Sequence, residues 1–393
     1  MIGTAFSAYG AGFILPSEYA DGTQSLIFVN LSFTRLVLCI QVFLTGLQLP
    51  ARYLRLQWRP LLILLGPCLG LMWLISSLLM WAFVKNISFV EALIVGACIA
   101  PTDPVLANSI IKGRFADDYM PLGLTHLIAA ESGANDGLGY PFLFLGLWLF
   151  RARHGPNFST STGIGYWFAD SWVYVVILSV VWGAVVGYVM LKALRFFDNL
   201  RYIDRESFHA FPAFIVLTLI GTCGLVGSDD ILACFVAGNV TGWTDWFQSQ
   251  TDDDSFQSTL DMLLNQSIFL WFGATCPWAE FPQSGDIISV GRLVALGVLI
   301  LLCRRPPVLI LFYRFLAPVQ DLKFASIMGY FGPIGVSAIF YVYETLTFLE
   351  DEFGGSSPEA LRLGRITRVV VWFMVVFSVV SYAVEFPSNE RHY

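Results

Sequence analysis

Charge is what this sequence has least of. Asp, Glu, Lys and Arg make up 13% of its 393 residues, about half the share usual in a soluble domain, while 56% are hydrophobic and the mean hydropathy is +0.68. A water-facing surface cannot be assembled from that stock, which excludes the two or three soluble domains that length alone would suggest. Basic patches are missing, so nucleic acid has nothing to dock on. The net charge of −7 is spread over loops and apolar runs without pointing to a partner. Paired cysteines are missing too: Cys39, Cys68, Cys98, Cys223, Cys234, Cys276 and Cys303 have no C-x-x-C or metal-ligand spacing and lie in or beside apolar segments. They read as small buried hydrophobes. The chain opens without a basic n-region, so no cleavable signal peptide is read there. Its first stretch, "MIGTAFSAYGAGFILP", is too short to span and reads as the tail of a helix whose beginning is missing.

What is present is apolar length. Eleven runs, at 28–49, 61–84, 89–111, 121–150, 170–194, 208–226, 229–244, 262–278, 287–313, 323–343 and 366–386, are read as spans. A hydrocarbon core is ~30 Å thick, and this pattern predicts an all-α polytopic membrane protein. The run at 229–244 is short enough to be partly irregular or re-entrant. Loop charge sets the orientation. Alternate loops hold Arg52, Arg55, Arg59, Lys112, Arg114, Lys192, Arg195, Arg201, Arg205, Arg314 and Lys323, with Arg391 in the tail on that side. The opposite set holds Lys85, Arg151, Arg153, Arg362, Arg365 and Arg368, so the first set is expected to be cytoplasmic. Asn157 then heads an outward N-x-S sequon. The acidic runs at 251–254 and 349–352 are simplest as solvated loops.

Two runs are interrupted. "CIAPTDPVLA" (98–107) sets Pro101 and Pro104 around Thr102 and Asp103, and "GYFGPIGVSAIFY" (329–341) carries Gly332, Pro333 and Gly335. Each proline removes a donor and crowds the preceding turn. Kinked helices would account for this. So would two discontinuous helices, one in each half, whose free ends meet at mid-membrane and mark a binding site.

Ionisable groups inside hydrocarbon cost at least ~2.5 kcal/mol each, so those present need a partner, water or a purpose. The 121–150 run carries Glu131, Ser132, Asn135 and Asp136, which helical spacing places on two adjoining stripes. The plain reading is a hydrogen-bonded packing patch. It suits Asn135 better than Asp136, for which a neutral residue would be cheaper. Loss of water favours a carboxyl's neutral form and a nearby cation its charged form. A site at that balance takes either a proton or a small cation. Hard cations want oxygen, which Asp136, Ser132, Asp103 and carbonyls freed near Thr102 would supply.

Arg304 and Arg305 fall near the middle of the 287–313 run. Arginine keeps its charge, so each needs a carboxylate or a route to the interface; a pair with Glu131 is one solution and snorkelling the other. Asp229 and Asp230 open the 229–244 run, as helix caps or as groups lining an ion path, with Asp230 the better candidate for the path. Arg35 is left between interfacial anchor and interior partner.

Taken together, "TRLVLCIQVFLTGLQLPARYLR" (34–55), "APTDPVLANSI" (100–110), "ESGANDGLGYPF" (131–142), "DRESF" (204–208), "GSDDILACFVAG" (227–238) and "YFGPIGVSAIFY" (330–341) resemble the sodium/proton antiporters of the cation/proton antiporter superfamily. The chain is most similar to the fungal plasma-membrane alkali-cation/proton antiporters, over roughly residues 10–385. The resemblance implies an inverted-repeat fold of 11–13 transmembrane helices, with two discontinuous crossing helices and the first helix truncated. It implies one exchanger domain over 1–393, with core ion-binding helices mainly at 61–150 and 262–343 and the others forming a dimerisation scaffold. It also implies alternating access in a homodimer of the fungal plasma membrane, exchanging Na+, Li+ or K+ for H+ without a cofactor.

On this likeness Asp136 is the shared cation/proton carrier and Asn135 its partner. Glu131, Ser132, Thr102 and Asp103 match motif positions, Arg305 or its neighbour Arg304 is the core arginine, and Asp229 and Asp230 are the acidic pair of fungal members. The long cytosolic tail typical of those proteins is not found after Tyr393. A passive cation channel is the first rival, though channels favour repeated selectivity elements around a continuous pore. An intramembrane aspartyl hydrolase using Asp136 with Asp229 or Asp230 is the second, and the chain has no G-x-G-D motif.

Overall fold

Backbone groups in hydrocarbon must be satisfied within their own segment, and this chain does so with helices. The structure is a computed structural model that describes residues 2–19, 22–104, 106–107, 120–156, 158–244, 246–251, 256–355 and 357–385, with no strand among them. The principal helices are α1 (Thr23–Gln48), α2 (Trp58–Phe83), α3 (Phe89–Cys98), α4 (Leu122–His154), α5 (Thr160–Asn199), α6 (Arg205–Val226) and α7 (Asp230–Thr241). They continue with α8 (Phe256–Thr275), α9 (Val290–Cys303), α10 (Pro306–Phe312), α11 (Leu322–Tyr330), α12 (Val336–Phe353) and α13 (Pro358–Glu385). Among the described residues six stretches are long and apolar enough to cross a membrane: α1, α2, α5, most of α6, Val290–Phe315 and most of α13. The chain is a multi-pass membrane protein.

Several elements differ from the sequence expectation. The run at 229–244 is the short helix α7 followed by a 3-10 turn at Gly242–Thr244; Asp229 caps its start and small residues seat it tightly. Gly238 and Gly46 let α7 and α1 touch backbone to backbone, and Gly183 and Gly187 do the same between α5 and α7. The run at 170–194 extends over all of α5, with a wide π-helical stretch at Trp167–Ile177. The run at 287–313 breaks at Arg304–Arg305, ahead of Pro306. At the amino end a short helix, Ile2–Phe6, packs on α8 with Gly3 against the Leu270 backbone. Asn157, 252–254, 108–119 and Arg391 lie outside the described residues.

The loops sort into the two alternate sets read from the sequence. Lys85 donates to the Ile287 carbonyl from its N–H (2.9 Å) and to the Gly285 carbonyl from Nζ (2.7 Å). Arg362 reaches the Asn86 carbonyl (2.7 Å), and Arg365 pairs with Asp286 (2.8 Å). Three loops of the less basic set therefore share one end. At the other, the Arg195 guanidinium lies over the Trp246 ring (4.8 Å) and Tyr53 meets His126 (5.9 Å). Helix α4 runs between these ends through the interior, packed by α1, α2, α3, α5, α7, α11 and α12.

Candidate functional site

The prolines and glycines of the two interrupted runs do break their helices. Helix α3 stops at Cys98 and the chain is irregular over 99–103; α11 stops at Tyr330 and α12 starts at Val336 after an irregular 331–335. The breaks touch: the Asp103 N–H donates to the Pro333 carbonyl at 3.1 Å. A broken helix leaves unpaired N–H groups with partial positive charge and unpaired carbonyls with partial negative charge. Both are answered here by side chains. Asp103 accepts from the Leu106 N–H with Oδ1 (3.3 Å) and from the Val336 N–H with Oδ2, so one carboxylate caps two helix starts. The Arg304 guanidinium donates to the carbonyls of Ile99, of Pro101 (3.5 Å) and of Gly332 (2.5 Å), so one cation covers the ends of both preceding helices. Gly335 has to be glycine, because a Cβ there would fall on the Asp103 carboxylate.

Helix α4 lies against this crossing. Arg305 Nη2 pairs with Glu131 Oε2 at 2.7 Å, and Arg305 Nε donates to the Met328 carbonyl at 3.1 Å. Both arginines are 1% exposed, so neither snorkels. Asn135 Nδ2 donates to the Thr102 hydroxyl at 2.8 Å, and that hydroxyl is 3.1 Å from the Ser132 hydroxyl. These contacts sew α4 to the first break. Asp136 is different: it is 0% exposed, and neither carboxylate oxygen has a hydrogen-bond partner among the described residues. The Ser337 hydroxyl faces it as a hydrogen-bond donor without reaching bonding geometry, and the charges of Asp103 and Asp229 also bear on it. The Tyr341 hydroxyl donates to the Asp136 backbone carbonyl, and Gly139 leaves room for that ring and for Pro101.

Asp229 and Asp230 divide their work. Asp229 Oδ1 caps α7, accepting from the Ile231 and Leu232 N–H groups at 2.9 and 3.2 Å. Asp230 pairs with Arg35 Nε at 2.5 Å, which makes Arg35 an interior partner and not an interfacial anchor. Both acids line a cavity of about 260 Å³ with Glu344, Tyr140 and Tyr341.

The structure thus gathers Asp136, Asn135, Ser132, Thr102, Asp103, Glu131, Arg304 and Arg305 at one crossing, with Asp229 and Asp230 beside it. Ser132 and Asp103, expected as cation ligands, are engaged with Thr102 and with helix starts in this state. Sequence reading missed Glu344, Tyr341 and Ser337. An acid inside "IFYVYETLTF" was a usable signal for Glu344; nothing in the sequence marks Tyr341 or Ser337. Among the described residues no group of three His, Cys, Asp or Glu side chains is placed to hold a resident metal. A lone unsatisfied carboxylate is instead suited to a proton or cation that comes and goes.

The family model described as sodium/hydrogen exchanger, transmembrane, matches residues 1–384. The chain belongs to the sodium/hydrogen exchanger family. Its relatives in that family are transporters. A probable Na+/H+ antiporter of Schizosaccharomyces pombe is 35% identical, over 96% of this chain and 49% of its own length. Na+/H+ antiporter 2 of Zygosaccharomyces rouxii is 33% identical, over 92% of this chain and 45% of its own. The exchanger chain described here therefore spans about half the length of the curated relatives it matches. The solved sodium proton antiporter MjNhaP1 of Methanocaldococcus jannaschii, at pH 8, shares the fold. Its TM-score is 0.72 at 16% identity, covering 98% of this chain and 91% of that one. The inverted-repeat antiporter fold with two discontinuous crossing helices is thus the architecture of this exchanger-family chain.

Proposed function

We propose that this chain exchanges a monovalent alkali cation, Na+ foremost and Li+ or K+ as well, for H+ by alternating access, with Asp136 as the shared site. The observation that carries the reading is a fully buried Asp136 carboxylate without a hydrogen-bond partner among the described residues, set where two helix breaks meet. A buried carboxylate left in that condition gains from either a proton or a cation, and the two exclude each other on one group. The surrounding charges are already matched: Asp103 against helix starts, Arg304 against helix ends, Arg305 against Glu131. The crossing can therefore hold its shape while the charge on Asp136 changes. Asn135 is locked to Thr102 and keeps α4 in register with the break, so that carbonyls near Thr102 stay within reach of a cation at Asp136. The names of the fungal relatives support the same reaction.

In this reading the helices at 61–150 and 262–343 form a core that moves against the remaining helices. The protein works as a homodimer, in the fungal plasma membrane. The test is reconstitution of wild type and Asp136→Asn in liposomes carrying a pH gradient, followed by addition of Na+, Li+ or K+. Gradient collapse by wild type and silence from Asp136→Asn is the expected result. Equal responses would remove Asp136 from the mechanism.

A further inference from the structure

The cavity beside Asp136 contains a charge the exchange reaction has not used. Its walls carry three carboxylates, Asp229, Asp230 and Glu344, and one guanidinium, Arg35. Arg35 belongs to α1 and Asp230 to α7, and Glu344 projects from α12 close enough to feel the field of both. The floor is Tyr341, whose hydroxyl holds the Asp136 carbonyl, so this cavity is an antechamber one side chain away from the carrier. Within the Arg35–Asp230 pair the arginine is the open partner, with a side chain 29% exposed against 3% for Asp230.

A pin between α1 and α7 is the ordinary explanation of such a pair, yet these helices already touch backbone to backbone at Gly46 and Gly238. A guanidinium in hydrocarbon is expensive and never sheds its charge. It earns another explanation where it stands among carboxylates that would attract an incoming cation.

We infer that Arg35 is a tethered cation that competes with the transported one for the antechamber and thereby sets the cation affinity on that face. The inference rests on the exchange reading proposed above. With all three carboxylates ionised the antechamber has a formal charge of −2, and it becomes −3 without Arg35. One unit charge a few ångströms from a cation in a wet cavity is worth roughly a three- to tenfold change in affinity.

The experiment measures Na+ KM and kcat from each face of oriented proteoliposomes, beside half-saturation of Na+-dependent thermal stabilisation in detergent, which needs no turnover. Arg35→Gln is expected to lower KM about three- to tenfold on the face where residues 227–230 open, with the opposite face unchanged. Arg35→Lys keeps the charge and the wild-type KM. Asp230→Asn frees the guanidinium and raises KM, Glu344→Gln raises it too, and Arg35→Gln with Asp230→Asn returns it towards wild type. Glu344→Gln leaves the ion pair intact and keeps the test alive if Arg35→Gln does not fold.

A fall in kcat with KM unchanged across the Arg35 and Asp230 variants would make the pair a structural pin and overturn the inference. So would a rise in KM with Arg35→Gln. If wild type fails to exchange but the binding series keeps this order, the tethered cation stands and the exchange reading falls.

Discussion

Replacing Glu131 by Gln should destabilise the protein more than replacing Arg305 by Gln, although each removes one half of the same 2.7 Å pair. Breaking a buried ion pair from one side costs about 3–5 kcal/mol, because the abandoned charge stays buried. The two abandoned charges are unequal here. Without Glu131, Arg305 keeps the Met328 carbonyl and has Arg304 beside it, so two cations that cannot deprotonate share a dry site. Without Arg305, Glu131 still feels Arg304 and is free to take up a proton. We therefore expect about 4–5 kcal/mol for Glu131→Gln and about 3 kcal/mol for Arg305→Gln.

With both replaced, two neutral amides face each other, and the cost should not exceed about 4 kcal/mol, against about 8 for independent sites. Glu131 Oε1 and Arg305 Nη1 have no partner among the described residues, so the contact is one-armed and a swap of the two charges should recover only part of the loss. Denaturant titration of purified protein in mixed micelles, followed by circular dichroism at matched slopes, gives the cycle. Additive costs, or an Arg305→Gln loss exceeding that of Glu131→Gln, would refute the reasoning.

Three further outcomes follow, one at the crossing, one in α2 and one at the start of α6. Gly335→Ala sets a Cβ onto Asp103 Oδ2 and should cost about 2 kcal/mol or more and abolish exchange. Gly66→Ala, with nothing within 4 Å, should be silent in the same thermal-shift and transport assays. Asp204, outside the spans, caps α6: bonds from the Ser207 side chain and then its backbone N–H hold this carboxyl below the usual carboxylate range. A depressed folded value means that the stabilisation is present above about pH 4 and is lost as pH falls through that value. The stability gap between wild type and Asp204→Ala should be full above about pH 4 and close as pH falls below that through the lowered folded value; a gap independent of pH would show that the carboxylate charge is not what caps the helix.

By itself the sequence determined the class of molecule and most of the addresses. Apolar runs and scarce charge are local quantities, and so are Pro101, Pro104, Gly332, Pro333 and Gly335, which break helices wherever those helices pack. The penalty for Asp136, Arg304 or Arg305 in hydrocarbon is also paid residue by residue, which is why these positions stood out. The tertiary structure alone decided the partners. Arg305 rather than Arg304 meets Glu131 across 174 residues, and Arg35 meets Asp230 across 195. Asp103, a plausible cation ligand on chemistry alone, caps two helix starts because the second break arrives from the other half of the chain. Partner choice depends on which faces the helices turn to one another, and the hydrophobic period is nearly uninformative when lipid and core are equally apolar. Asp136 is the exception that joins the two levels: its cost was legible in one dimension, and its carboxylate's want of a hydrogen bond among the described residues only in three.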